Sequence, residues 1–221
     1  QELDDLDQIF LGFIDAGDFV PEGAVSEFHG FYVGYGPGTG GSIGCVTHRR
    51  DAIYQAILPG YAPEHCLLGA IAIEAVCCEA LKRVIPAVRR VVVTDGGMGR
   101  LHAVIAMHRP RLGEGKRAAI LAMGQINLFK LVTVVEDDVD PEDPVQVEWS
   151  LAARFRGDED LVVLPGMKAD RCDPVHENLT VTKIGMIATT RPGDGERESR
   201  SEFARAPADV MARVRGALAE Y

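Results

Sequence analysis

Apolar positions follow three different rhythms along this chain. Near the start, IFLGFI reads as a strand and DAGD as a turn. VPEGAVSEFHGFYVGYGPGTGG then reads as extended chain bent at its glycines, with Phe28, Phe31, Tyr32, Val33 and Tyr35 as its apolar and aromatic positions. SIGCVTHRRDAIYQAILPGYAP continues as a strand, a turn and a helical turn. From Pro63 the rhythm becomes helical. PEHCLLGAIAIEAVCCEALKRVI has a proline near its start, an acid in its first turn, Lys82 and Arg83 in its last, and Pro86 beyond its end. That polarity suits a helix dipole. Its apolar residues cover most of the circumference, which predicts burial on more than one side.

After this helix, strands and helices alternate. VRRVVVTD reads as a strand, GGMGR as a turn, LHAVIAMH as a strand and GEGKRAAILAMGQI as a helix. KLVTVVEDD follows as a strand, PVQVEWSLAARFR as an amphipathic helix and DLVVLPG as a strand. Such alternation predicts an α/β layer architecture. Residues 167–182 read as a loop, and RPGDGERESRSE as a solvated linker. The tail, PADVMARVRGALAEY, reads as a helix with Val210, Met211, Val214, Leu218 and Tyr221 on one stripe, suited to packing on another subunit.

The chain has 221 residues, 47% hydrophobic and 25% charged, which excludes a disordered tail, a collagen-like fibre and a disulfide knot. A formal charge of -10 repels phosphate backbones, so nucleic acid is not an expected partner. The longest apolar run, from Cys66 to Cys78, is interrupted by Glu74 and falls short of the ~20 residues that span a bilayer. QELDDLDQ holds no basic residue of the kind a secretory signal carries. The five cysteines include no CxxC pair, and Cys66, Cys77 and Cys78 lie in the helical pattern, where a free thiol behaves as a small hydrophobe. The expectation is a reduced cytoplasmic protein with no membrane partner.

Candidate chemistry is sparse. Glu22 and Glu27 bracket a small-residue bend, PEGAVSE. Five residues apart, they would face opposite sides of a straight strand, but the Gly23-Ala24 bend can bring both into one cavity. A close carboxylate pair needs a cation between its members or a proton on one, and either suits proton transfer. On the residues alone, two solvated loop glutamates are the plainer alternative. The run Glu136-Asp137-Asp138-Val139-Asp140 ends a strand, where magnesium or calcium can bind, but helix caps and ion pairs to arginine are the preferred reading. Lys130 opens the same strand and either meets a phosphate as a point charge or snorkels at the strand end. The six histidines show no ligand spacing and read as structural. GYGPGTGG does not form GxGxxG before a helix, and neither GxxxxGK[ST] nor GxSxG occurs, which leaves a stand-alone hydrolase without a nucleophile motif.

Read in order, IFLGFIDAGDFVPEGAVSEFHGFY, VTHRRDAIYQAILPG, GEGKRAAILA, KLVTVVEDDVDPEDPVQVEWSLAARFR and KIGMIAT resemble the C-terminal half of UbiD-like decarboxylases, reversible enzymes that use prenylated FMN. The resemblance runs from Ile9 to Thr189. It implies a Glu–Arg–Glu network with its glutamates in a PEGxxGE-type loop, matched here by Glu22 and Glu27. Glu27 would be the proton donor to the carbon that loses CO2, and Glu22 would help hold the arginine beside the substrate carboxylate. Phe28 matches a position lining the substrate pocket, and Lys130 a lysine near the cofactor phosphate. The loop around His176 is the other visible candidate for substrate contact.

Three departures accompany the resemblance. Ser26 stands where the loop commonly has glycine, and Ile187 where KxGIDAT would put aspartate. The family's N-terminal half is missing; it supplies most of the flavin-binding barrel, the arginine, and the ligands for a divalent metal and potassium. The resemblance therefore implies an α/β (α+β) chain: partial split-barrel strands with the glutamate loop over 1–60, a UbiD C-terminal-type α/β domain over 61–190, and a linker with an oligomerisation helix over 191–221. It implies a subunit of a split decarboxylase for an aromatic or α,β-unsaturated acid. A second subunit would carry the N-terminal half, with prenylated FMN, the divalent metal and potassium bound mainly there, and no metal in this chain. The alternative is a non-catalytic accessory subunit. Homo- or hetero-oligomers would form through the C-terminal helix.

Overall fold

The computed structural model describes residues 8–190 and 206–219. The expected linker and Tyr221 lie outside them. Strands β1 (Gln8–Pro21) and β4 (Pro37–His48) form one long antiparallel ribbon, with Gln8 opposite His48 and Pro21 opposite Pro37. DAGD is not the expected turn. It is a bulge inside β1: residues 15–18 lie between the Ile14–Gly41 and Phe19–Thr39 pairs, where β4 contributes only Gly40. A Cβ at Gly40 would come within 2.6 Å of the Asp18 carboxylate, so the glycine makes room for the bulged strand.

Between these strands, β2 (Val25–Ser26) and β3 (Tyr32–Val33) form a two-residue ladder around a tight turn. The Gly30 amide donates to the Glu27 carbonyl at 2.8 Å, and the Glu27 amide to the Phe31 carbonyl at 3.1 Å. Gly30 sits at φ 83°, a conformation that disfavours a side chain. Phe28 and His29 thus occupy a turn rather than the expected strand. Residues 51–62 run without the expected helical turn.

Helix α1 (Pro63–Val84) has Pro63 in its first turn, Glu64 beside it, and Lys82 and Arg83 in its last turn, as its sequence predicts. Within this chain, however, it is buried on one side only. Cys66, Ala70, Cys77 and Leu81 face inward, while Leu67, Leu68, Ile71 and Val76 are each more than half exposed. The reason is geometric: a single sheet face is available to it, and nothing described covers the other side.

The five remaining strands form one sheet in the order β5 (Val88–Val93), β6 (His102–Met107), β7 (Leu131–Glu136), β9 (Thr180–Ala188), β8 (Leu161–Lys168). The three central strands run parallel and the two edge strands antiparallel to their neighbours. Helices α1 and α2 (Glu114–Gln125) pack on one face, and α3 (Pro144–Arg154) on the other. In β6, Ala103, Ile105 and Met107 join the first face while Val104 and Ala106 join the second. Burial on both sides explains its near-continuous apolar run. The Glu74 carboxylate accepts from the Val93 amide at 2.7 Å, so α1 satisfies part of the free edge of β5. Helix α4 (Ala208–Ala219) carries Met211, Val214 and Leu218 exposed.

Strand β9 occupies residues expected to be partly loop, and its KIGMIAT pattern has a packing explanation. Lys183, Gly185 and Ile187 alternate toward α2. The Lys183 ammonium donates to the Met123 and Asn127 carbonyls, both at 2.9 Å, at the helix's C-terminal end. Burial lowers its pKa, and the Asp173 charge opposes that. Gly185 leaves space for Ala119, and Ile187 packs on Gly115. Ile187, at the position where the resemblance implies aspartate, is therefore a core residue here, 6% exposed.

The acidic run forms the expected ion pairs to arginine, Asp138 with Arg154 and Asp140 with Arg90, while Asp137 lies within hydrogen-bond distance of the His108 ring. The α3 cap comes from Asp143, just beyond the run, which accepts from the Val145 amide at 2.9 Å.

The turn GGMGR anchors the start of α1. The Arg100 guanidinium donates to the carbonyls of Cys66 (3.0 Å), Gly99 (2.9 Å) and His65 (3.2 Å), and a Cβ at Gly69 would collide with it. We expect Gly69→Ala to displace Arg100 and lower stability by about 1–3 kcal/mol in urea unfolding. The control Gly124→Ala, where a Cβ meets nothing within 4 Å, should stabilise by roughly 0.4–1 kcal/mol. His102 bridges Thr94 and Thr133, with Nε2 at 2.9 Å from the Thr133 hydroxyl, and burial lowers its pKa. The unfolded chain therefore takes up a proton near pH ~6.5 that the folded one resists, and stability should fall as pH drops through that value. His102→Gln should flatten this loss, measured as the difference in urea midpoint between two pH values on either side of it.

Candidate functional site

Glu27 sits half-buried where the ribbon's loop meets the α/β unit. Phe28, only 3% exposed, drives this docking: its ring packs with Cys66 and Leu101, and Met98, Leu128 and Cys172 close around them. The Arg100 guanidinium lies 5.8 Å from its centroid, and His65 meets it edge-on at 6.5 Å. The Cys66 thiol donates to the Phe28 carbonyl at 3.7 Å. Phe28 thus spends its side chain on anchoring.

The Glu27 carboxylate is held by this chain's own donors. The Tyr35 hydroxyl donates to Oε1, and the Phe28 amide donates to Oε2 at 3.3 Å. Tyr35 is itself gripped by residues 170–172. The Arg171 guanidinium lies over its ring at 4.3 Å, while the Cys172 thiol donates to Asp170 at 2.8 Å. Burial raises the Tyr35 pKa first, then the hydrogen bond to Glu27 and the Glu27 and Cys172 charges; Arg171 opposes them. The Cys172 thiol is pushed up to about 12 by burial, by its bond to Asp170 and by nearby negative charge, Glu27 included. Asp170 is lowered chiefly by the same thiol bond.

Glu22, at the end of β1, is exposed and lies across Gly38. No hydrogen bond joins it to Glu27, and among the described residues neither glutamate has a cationic partner within ion-pair distance. Lys130 is paired with buried Asp173 at 3.2 Å, close to the Glu27 loop through Cys172. His176 turns back on its own loop, its Nδ1 accepting from the Leu179 amide at 3.4 Å. His29, absent from the sequence candidates, is 6% exposed; its Nδ1 accepts from the Phe31 amide, and its Nε2 has no partner.

The structure therefore brings Glu27, Phe28 and Lys130 to one region, with Glu22 and His176 at its margins. Tyr35, Arg171, Cys172 and Arg100 join it without having been singled out. Tyr35 was visible only as an apolar-pattern position. A cofactor fits this chain only as an open wall. Lys130 is engaged by Asp173, and the ribbon has no barrel around it, so the described residues do not form a flavin site by themselves. Among those residues no group of three or more His, Cys, Asp or Glu could hold a metal ion, and no helix is long and apolar enough to cross a membrane.

Comparison with known proteins gives the same architecture a family. Residues 66–188 match the 3-octaprenyl-4-hydroxybenzoate carboxy-lyase C-terminal domain (UbiD_C), and residues 4–62 match the Rift-related domain of the same enzyme (UbiD). The chain is 38% identical over 159 residues to anhydromevalonate phosphate decarboxylase of Methanothermobacter thermautotrophicus, covering 70% of this chain and 37% of that protein. It is 35% identical over 136 residues to gallate decarboxylase of Lactiplantibacillus plantarum, covering 60% of this chain and 28% of that protein. The UbiD-class enzyme HmfF from Pelotomaculum thermopropionicum, solved in complex with FMN, superposes with a TM-score of 0.84 at 33% identity, over 91% of this chain and 44% of that one. The chain thus spans less than half the length of these relatives. Because the C-terminal-domain match alone takes in more than half of its residues, this chain belongs to the UbiD family of carboxy-lyases.

Proposed function

We propose that this chain is the proton-donating part of a UbiD-type decarboxylase acting reversibly on an aromatic or α,β-unsaturated carboxylic acid. The observation that carries this reading is the position of Glu27. It is half-buried, fixed through both carboxylate oxygens, and placed on the turn whose next residue, Phe28, docks against Cys66 in the first turn of α1. A substrate held against this turn would present its α-carbon to Glu27, which returns a proton to the carbon that loses CO2.

The ribbon supports a partner chain. Phe10, Leu11, Phe13, Ile14, Phe19 and Ile43 are all more than half exposed. An apolar patch of this kind marks a protein interface, and its two strands have open edges that further strands can pair. A second subunit carrying the family's N-terminal half would cover it, bring prenylated FMN with its divalent metal and potassium, and place an arginine between Glu22 and Glu27. That guanidinium would draw the exposed Glu22 toward the site. Oligomers would add through the apolar stripe of α4. A non-catalytic accessory role is the second reading, and the engagement of Lys130 by Asp173 favours it.

Mixing this chain with a polypeptide carrying the UbiD N-terminal half and prenylated FMN should yield a flavin-coloured heteromer that releases CO2 from its acid substrate. Glu27→Gln should lower that rate by about 10²–10⁴-fold, the range for loss of a general acid. A colourless assembly, or a Glu27→Gln variant as fast as the unaltered chain, would leave the accessory reading.

A further inference from the structure

Glu27 is on a turn at the surface of an open ribbon, a poor place to hold a flexible side chain. Three rotatable bonds separate its carboxylate from the backbone, and a proton donor must be kept near one geometry to work. Two donors fix it, and they differ in kind. The Phe28 amide lies one residue away, so it follows the turn wherever the turn goes. Tyr35 lies eight residues away, across the β2–β3 ladder, and ties the carboxylate to a separate part of the molecule.

That separate part is the segment after β8. Arg171 lies over the Tyr35 ring, and Cys172 stands beside both Tyr35 and Glu27 while donating to Asp170. Asp173, next in sequence, is 5% exposed, paired with Lys130, and accepts from the Val175 amide at 3.0 Å. The phenol therefore has a rigid backing rooted in the start of β7. Its own backbone is free to fit, because Gly34 and Gly36 flank it and Gly36 adopts φ 86°.

Resting on the proposed role of Glu27, we infer that Tyr35 is a positioning residue, whose phenol, seated on Arg171, aims the Glu27 carboxylate for proton delivery. Tyr35 does not touch the reacting carbon. It holds one oxygen of the acid and leaves the orientation of the other fixed by difference. Residues 170–173 thereby reach the chemistry through Tyr35, though they are far from Glu27 in sequence.

The test has an arm in the isolated chain and one in the assembled enzyme. The charged and titratable groups facing the phenol are Glu27 from its turn, and Arg171 and Cys172 from the segment after β8. In the isolated chain, the 13Cζ resonance of labelled Tyr35 is followed to alkaline pH. The phenol should resist ionisation beyond its usual range near pH ~10. Glu27→Gln, which removes the negative charge and leaves a neutral amide, should bring the midpoint down by about one pH unit or more. An unmoved midpoint overturns the pairing, whatever the enzyme does.

In the assembled enzyme, Tyr35→Phe should cut kcat roughly tenfold and leave KM unchanged, the signature of a misaimed group. Arg171→Met, which unseats the ring without altering the phenol, should reproduce part of that loss, with Arg171→Lys nearer the parent. If Glu27→Gln abolishes CO2 release while Tyr35→Phe keeps full kcat, the positioning role fails and the role of Glu27 stands. If Glu27→Gln retains activity, the functional reading fails, and the resonance still decides the pairing. Should Tyr35→Phe not fold, the Arg171 pair and the Glu27→Gln titration decide the matter.

Discussion

The burial of Phe28 is the constraint on which the arrangement depends. Its ring is the main tether between a ribbon with almost no core of its own and a well-packed α/β unit. Burying one phenylalanine contributes about 1.5–3 kcal/mol, modest for a whole domain but concentrated on a short turn. That turn carries Glu27 one residue before the anchor and His29 one after it. Anything that loosens the Phe28 pocket, such as movement of Arg100 or Cys66, moves the acid. The stability of the fold and the geometry of the site are thus joined at one side chain.

Satisfaction of apolar surface is uneven across the molecule. The sheet of the α/β unit is covered on both faces, with Ala103, Ile105, Val132 and Val134 fully buried. The ribbon and α1 leave large apolar side chains in the open. A stable isolated protein avoids such a surface because each exposed phenylalanine or isoleucine invites association. The pattern is consistent with a chain that is half of a larger cleft, as proposed above. It also accounts for α1 reading in sequence as buried on more than one side: its composition suits two contacts, of which this chain provides one.

What sequence could reveal depended on whether the signal was periodic. Helices α1, α2 and α3 and strands β5 to β7 were legible because their apolar spacing and flanking prolines and charges are local. The DAGD bulge was misread as a turn because small polar residues serve either purpose, and only the partner strand's Gly40-Gly41 decides. The start of β9 was lost because Asn178 and Leu179, both at positive φ, hide a tight turn inside polar sequence. At the site, Glu22, Glu27 and Lys130 were visible as charged residues at a bend and a strand start, and the roles expected of them came from a family resemblance. Tyr35, Arg171 and Cys172 were not: Tyr35 read only as an apolar-pattern position eight residues on, and Arg171 and Cys172 meet it only after residues more than a hundred positions apart are brought together. The burial of Phe28 against Cys66 and Leu101 was not legible either, because it joins a turn to a helix and a loop that no local pattern connects.

The placement of the site also departs from the common habit of parallel sheets. Ligands of open α/β folds usually gather beyond the carboxyl ends of the strands, which here is the end bearing Glu136 and the ion-paired acidic run. Glu27 instead docks at the opposite end, beside Leu101 before β6 and Lys130 before β7. The C-terminal end of α2 also lies there, and its partial negative charge is met by the Lys183 ammonium. Around Glu27 the charges are otherwise spoken for: Lys130 by Asp173, Arg171 by the Tyr35 ring, Asp170 by the Cys172 thiol. Glu27 is the carboxylate of this cluster whose partners are a phenol and an amide, both neutral. A carboxylate in such surroundings gains more from an arriving guanidinium than one already paired, so the electrostatics and the open apolar surface favour the same kind of partner.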